Sequence, residues 1–135
     1  MEFKSLELLE KQIEEYYSEK AVNKKNSKGV SHAQSLIDNN SIIRPENWVA
    51  PTVEEQNAYI EKNGWSEYSK WFLGVDTSED SETKGHYGYI YTSDFKNVDR
   101  EGLRAIRQRS AQRGLTSVFA AAGKLMMQVD EDKND

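Results

Sequence analysis

Between Gly85 and Val129 the hydrophobic period of the chain changes from two to three and a half or so, and that change restricts the fold more than any other feature. In "HYGYIYT" Tyr87, Tyr89 and Tyr91 alternate with Gly88 and Ile90, the period of a strand. From Asp99 onward Leu103, Ile106 and Ser110 recur at helical spacing, Gly114 breaks the chain, and Val118, Ala122, Leu125 and Val129 form a second helical stripe widened by Phe119 and Met126. Asp99 caps the first of these helices, predicted to run to Gln112, and Thr116 and Ser117 open the second, predicted through Val129. "AAAG" at 120–123 removes bulk from the last helix and admits a close neighbour.

A strand so placed needs a partner. "WSEYSKWFLGVD" carries Trp65, Tyr68 and Phe72 at helical spacing but Trp71, Leu73 and Val75 at strand spacing, which places a strand over 69–75. The acidic loop "DTSEDSETKG" then closes an antiparallel hairpin. An isolated hairpin is marginal in water, so helices must cover a face of it. The expected architecture is α+β, a small single domain, mainly helical, with one antiparallel β-hairpin packed on two C-terminal helices. The three tyrosines are expected on one half-covered face, rings packed and hydroxyls toward water.

Upstream, Phe3, Leu6, Leu9, Ile13 and Tyr16 or Tyr17 predict an amphipathic helix, with Glu7 and Lys11 in the favourable i,i+4 order on its polar side. It packs on its own domain or associates with a second copy. "NKKNSKG" reads as a flexible connection ended by Gly29, dividing residues 1–29 from a compact domain over 30–129, with an acidic tail at 130–135. Ser31 caps a short helix to about Asn39, with Ala33, Leu36 and Ile37 on its apolar side. Pro45 and Pro51 hold "RPENWVAP" extended, with Trp48 docked on the core. Thr52 and Glu55 form a capping box for a helix over 53–63, stopped by Gly64.

The 135 residues suit one core, and a charged fraction of 30% against 36% hydrophobic leaves room for mobile ends. No cysteine is present, which excludes disulfides, thiolate zinc sites and cysteine nucleophiles and fits a reducing, cytoplasmic setting. The N-terminus lacks the pattern of a signal peptide, and no segment is apolar enough to span a membrane. A net charge of −5 opposes general nucleic-acid binding, so only a local basic patch can reverse it.

Such a patch exists. Over residues 96–113 Lys96, Arg100, Arg104, Arg107, Arg109 and Arg113 face only Asp99 and Glu101, a local excess of +4 that leaves −9 for the rest of the chain. Arg100, Arg104 and Arg107 line up beside the buried stripe and Arg109 lies on the far side. Arginine suits forked contacts with carboxylates or phosphates, supplied either by this chain's own acidic stretches or by a partner. The expected contact surface is Arg100, Arg104 and Arg107 with Tyr87, Tyr89 and Tyr91, and the expected partner an acidic protein. The alternative is a nucleic-acid-associated protein using the same patch on phosphates, with the tyrosines stacking bases.

Other chemistries find less support. A helix-turn-helix over residues 105–126 would present Val118, Phe119 and three alanines to base edges. His32 and His86 lack carboxylates at ligand spacing, so no metal is expected. The loop from Asp76 begins like a calcium loop but has Ser81 and Tyr87 where glycine and glutamate belong. No nucleophile elbow, phosphate loop or dinucleotide fingerprint occurs. His86 with Asp94 is a generic acid–base pair, and a pocket where His86, Asp94 or Glu101 converge is what an enzyme would require. No cofactor is expected.

From Trp65 on, "NGWSEYSKWFLGVD", the "ETKGHY" turn, "DFKNVDR" and the helix pair "RAIRQRSAQRG…VFAAAGKL" resemble a small, widespread bacterial family of uncharacterised proteins. The resemblance covers roughly half of the chain. This sequence has "IYTSDF" where the family has a Phe-Pro-Tyr-Gly-Asp-Phe pattern, and Asp99 where it has histidine. The resemblance implies a shared unit of hairpin plus two helices and brings no activity with it.

Overall fold

The computed structural model describes Glu19 and residues 21–133. The helix expected over residues 3–17, and any self-association through it, lie outside the described residues. Among those described, four helices are found: α1 Ser27–Asp38, α2 Val53–Tyr68, α3 Arg100–Gln112 and α4 Thr116–Lys133. Strands β1 Lys24–Lys25, β3 Phe72–Val75 and β4 Tyr87–Ile90 make an antiparallel sheet in the order β1-β3-β4. Strands β2 Ile42–Ile43 and β5 Val98–Asp99 pair in parallel as a separate two-residue ladder. The fold is α+β, with the hairpin covered by helices.

The hairpin register sets Phe72 opposite Ile90, Gly74 opposite Gly88 and Val75 opposite Tyr87. Strand β3 starts at Phe72 rather than residue 69, because Ser69–Trp71 turn as a single 3-10 helix out of α2. Helix α2 opens on the capping box, with Glu55 N–H donating to Thr52 Oγ1 at 3.0 Å and Thr52 N–H to Glu55 Oε1 at 2.9 Å. At Gly64 the backbone leaves helical geometry (φ 86, ψ 169) and one more turn follows to Tyr68, so the glycine kinks the segment instead of ending it.

The segment read as a flexible connection is ordered, and its composition has a different cause. Asn23 N–H donates to Val75 O at 3.0 Å and Asn26 N–H to Leu73 O at 2.8 Å, which makes β1 the third strand. The Asn26 amide then donates to Ser69 O and Phe72 O, at 2.8 and 2.9 Å, fixing the start of α1 five residues earlier than expected. A Cβ on Gly29 would lie 1.7 Å from Phe72 O, so only glycine lets α1 approach β3 this closely. The acidic tail is also shorter than expected, since α4 continues to Lys133.

The tyrosines are core residues and not a half-exposed face. Tyr87 is 5%, Tyr89 1% and Tyr91 0% exposed, and Gly88, Ile90 and Thr92 between and beyond them are buried too. Both faces of β4 are therefore covered, and tyrosine is tolerated there because each hydroxyl is satisfied inside. Tyr87 OH donates to Ser81 O at 2.6 Å, Tyr91 OH donates to Lys70 O at 2.7 Å, and Tyr89 OH accepts from Arg113 at 3.4 Å. Tyr87 packs with Trp65, Tyr68 and Phe72, and Tyr91 with Trp71. Tyr89 has φ +66, a left-handed conformation costly for a bulky residue, and it breaks the regular alternation expected of the strand.

Helices α3 and α4 form an antiparallel hairpin turning at Gly114, and their stripes meet in the core: Leu103, Ile106 and Ser110 from α3, Val118, Ala122, Leu125 and Val129 from α4, each at most 2% exposed.

Candidate functional site

The arginine helix is positioned at its N-terminus by an interlocked junction. Asp99 N–H donates to Tyr91 O at 3.0 Å and Val98 N–H to Ser41 O at 2.9 Å, so β5 is tied to both the end of β4 and the start of β2. Asp99 Oδ1 accepts from Gly102 N–H at 3.0 Å, capping α3. Trp48 docks on the first turn as expected: a Cβ on Gly102 would stand 2.7 Å from its ring, so the indole occupies the space a side chain would need.

Along α3 the arginines divide into two groups. Arg100 is held by Asp130 on α4, Nε to Oδ1 at 2.8 Å and Nη2 to Oδ2 at 3.3 Å, and by Glu101 Oε2 at 2.7 Å. The Asp130 carboxylate, and then Glu101, raise its pKa further above the ordinary arginine range. Arg109 closes a two-point fork on Glu19, with both bonds at 2.8 Å and the Glu19 side chain 10% exposed. These two cations are neutralised within the molecule, so Arg100 leaves the expected contact surface together with Tyr87, Tyr89 and Tyr91.

Arg104 and Arg107 differ. The Arg104 side chain is 58% exposed and makes one bond at 3.2 Å to Glu101, which it shares with Arg100. Arg107 is exposed and lays its guanidinium 4.9 Å from the ring centroid of Phe119, with no carboxylate partner among the described residues. Stacking occupies one face of the guanidinium and leaves its N–H edge available for a planar anion. Both arginines line an open groove of about 350 Å³ between α3 and α4, with Gln108, Ala111, Phe119 and Met126. On the other side of Arg104 a hollow of about 210 Å³ lies against Glu46, Asn47, Trp48 and Glu101.

The remaining hollows carry less chemistry. One of about 100 Å³ beside Tyr68, Phe72 and Tyr87 includes Glu19, whose carboxylate is already in the Arg109 fork. A groove of about 500 Å³ between α1 and α4 is lined by small side chains, among them Ser117, Ala120 and Ala121, with Lys25 and Lys124. No group of three or more His, Asp or Glu side chains fit to hold a metal occurs among the described residues. His32 packs edge-on to Trp71, and its partial burial lowers its pKa, which favours the neutral ring. His86 Nδ1 bonds Glu79 O at 2.8 Å, whereas Asp94 accepts from Lys96 N–H and from the backbone and side chain of Asn97. These two residues serve separate turns.

The internal pairing that the sequence allowed, arginines held by the acidic N-terminal stretch and the acidic tail, is what Glu19 and Asp130 provide, although sequence reasoning could not name the two residues, 90 and 30 positions from their arginines. Sequence reasoning also missed Phe119 as the platform for Arg107. The i,i+3 and i,i+4 geometry of one helix cannot show a neighbour on another. No protein-family model matches the chain, and neither a search of curated proteins nor one of solved structures returns a match. No helix among the described residues is long and apolar enough to cross a membrane.

Proposed function

We propose that the protein is a non-catalytic interaction module of the cytoplasm, without a cofactor, that binds an acidic protein through Arg104 and Arg107. One observation carries the reading: the molecule neutralises Arg100 and Arg109 with its own carboxylates, whereas Arg104, with one exposed bond to a shared Glu101, and Arg107, with no carboxylate partner among the described residues, stand on an open groove with an apolar floor. An apolar floor of Phe119 and Met126 beside two cations matches a polypeptide, which supplies carboxylates and hydrocarbon together. A phosphate backbone matches it less well, since it brings anions for the two arginines but no hydrocarbon for Phe119 and Met126. The bacterial family that the C-terminal half resembles adds no activity to this reading.

The test is retention of the full chain on immobilised polyglutamate and on immobilised DNA and RNA, at low and high salt. Wild type should be retained on polyglutamate and the Arg104→Glu, Arg107→Glu variant released. Salt-sensitive retention on nucleic acid, lost in the same variant, would transfer the site to the phosphate-binding alternative.

A further inference from the structure

We infer that the groove between α3 and α4 receives one amphipathic helix of the partner, with carboxylates on Arg104 and Arg107 and apolar side chains on Phe119 and Met126. The inference rests on the function proposed above and adds the form of the bound element. Three features of the groove point to a helix.

The first is spacing. Arg104 and Arg107 stand three residues apart on one helix, so their Cβ atoms are roughly 5–6 Å apart. Phe119 and Met126 are seven apart, about 10.5 Å along α4 at 1.5 Å per residue. A helix laid alongside repeats both distances in its own side chains, carboxylates at i and i+3 or i+4 and apolar groups at i and i+7. The second is backbone accounting. The walls are two helices whose main-chain groups are already used, so an extended segment would find no strand edge to pair with, whereas a helix satisfies its own N–H and C=O groups.

The third is the chemistry of the rim and floor. Arg107 is pre-oriented by its stack on Phe119 and by packing over Gly123, where its Nε is 3.5 Å from the place of a Cβ. Arg104 has only its shared, exposed bond to Glu101 to exchange. Met126 closes the floor at 9% exposure, and the neighbouring Met127 on α4 is 66% exposed and adaptable. Glu46 and Glu101 line the hollow on the far side of Arg104 and repel further carboxylates there, which directs the acidic edge of the partner toward Arg107.

The experiment is fluorescence polarisation of three labelled synthetic peptides with the full-length chain. One is a glutamate–leucine helix with leucines at i, i+4 and i+7 and glutamates beside them. The second has the same composition rearranged to remove that spacing, and the third carries a central proline. The inference expects the first peptide to bind at least about tenfold more tightly than the other two, and Arg107→Lys, which keeps the charge but loses the fork, to weaken it about tenfold. Equal binding of all three overturns the helix while leaving an acidic partner in place. Binding of none overturns both.

Discussion

Asp99 shows how much one side chain can carry at the foot of the arginine helix. Its carboxyl is 1% exposed, Oδ1 caps Gly102, and Oδ2 is buried without a well-formed hydrogen bond. Burial raises its pKa, the Gly102 N–H and then the Ser93 hydroxyl pull the other way, and burial wins. A carboxyl whose folded pKa lies above its unfolded value of about 3.9 stabilises the fold fully below that value, and the contribution is lost as pH rises through the folded pKa. Asparagine keeps the capping oxygen and cannot ionise. Asp99→Asn should therefore remove this group's decline in stability as pH rises above about 4, whereas Asp99→Ala should cost about 1 kcal/mol through the lost cap. Urea denaturation of both variants across pH measures the difference. An unchanged pH profile in Asp99→Asn would mean the carboxyl titrates as an ordinary one.

At the scale of elements, much of what depended on local chemistry was legible in the sequence, though Gly64 kinks α2 instead of ending it and Asn26, not Ser31, precedes α1. The Thr52–Glu55 box, the Asp99 cap, the turn at Gly114 and the stripe of α4 all lie where the residues place them. Where composition stood in for contact, the reading failed. "NKKNSKG" has the residues of a linker, yet its asparagines and glycine are there because β1 and α1 press against β3. The parallel ladder of β2 and β5 is two residues long and leaves no periodic trace. Polar-looking tyrosines concealed a strand buried on both faces. Gly29→Ala tests the first of these corrections, since a linker glycine accepts alanine at little cost. Here the methyl would collide with Phe72 O, and the loss should be about 3 kcal/mol, read from the shift of the urea midpoint.

For the whole molecule the question is whether the hairpin and its two C-terminal helices form a unit on their own. Several long-range ties argue against it. Strand β3 is bonded on its outer side to β1, Asn26 holds Ser69 O and Phe72 O, and Gln34 on α1 donates to Gln128 on α4. Arg44 donates to Val129 O at 2.8 Å, and Val98 N–H to Ser41 O. Removing residues 1–64 would uncover the Phe72 and Trp71 side of the sheet that α1 and Tyr59 now cover, and would expose a bare strand edge. An excised chain of residues 65–135 should keep helical far-UV circular dichroism from α3 and α4. It should lose near-UV tyrosine and tryptophan signal and cooperative urea unfolding, the behaviour of secondary structure without fixed packing. Cooperative unfolding of that fragment with native near-UV signal would show instead that the segments before Trp65 are an addition to a finished domain.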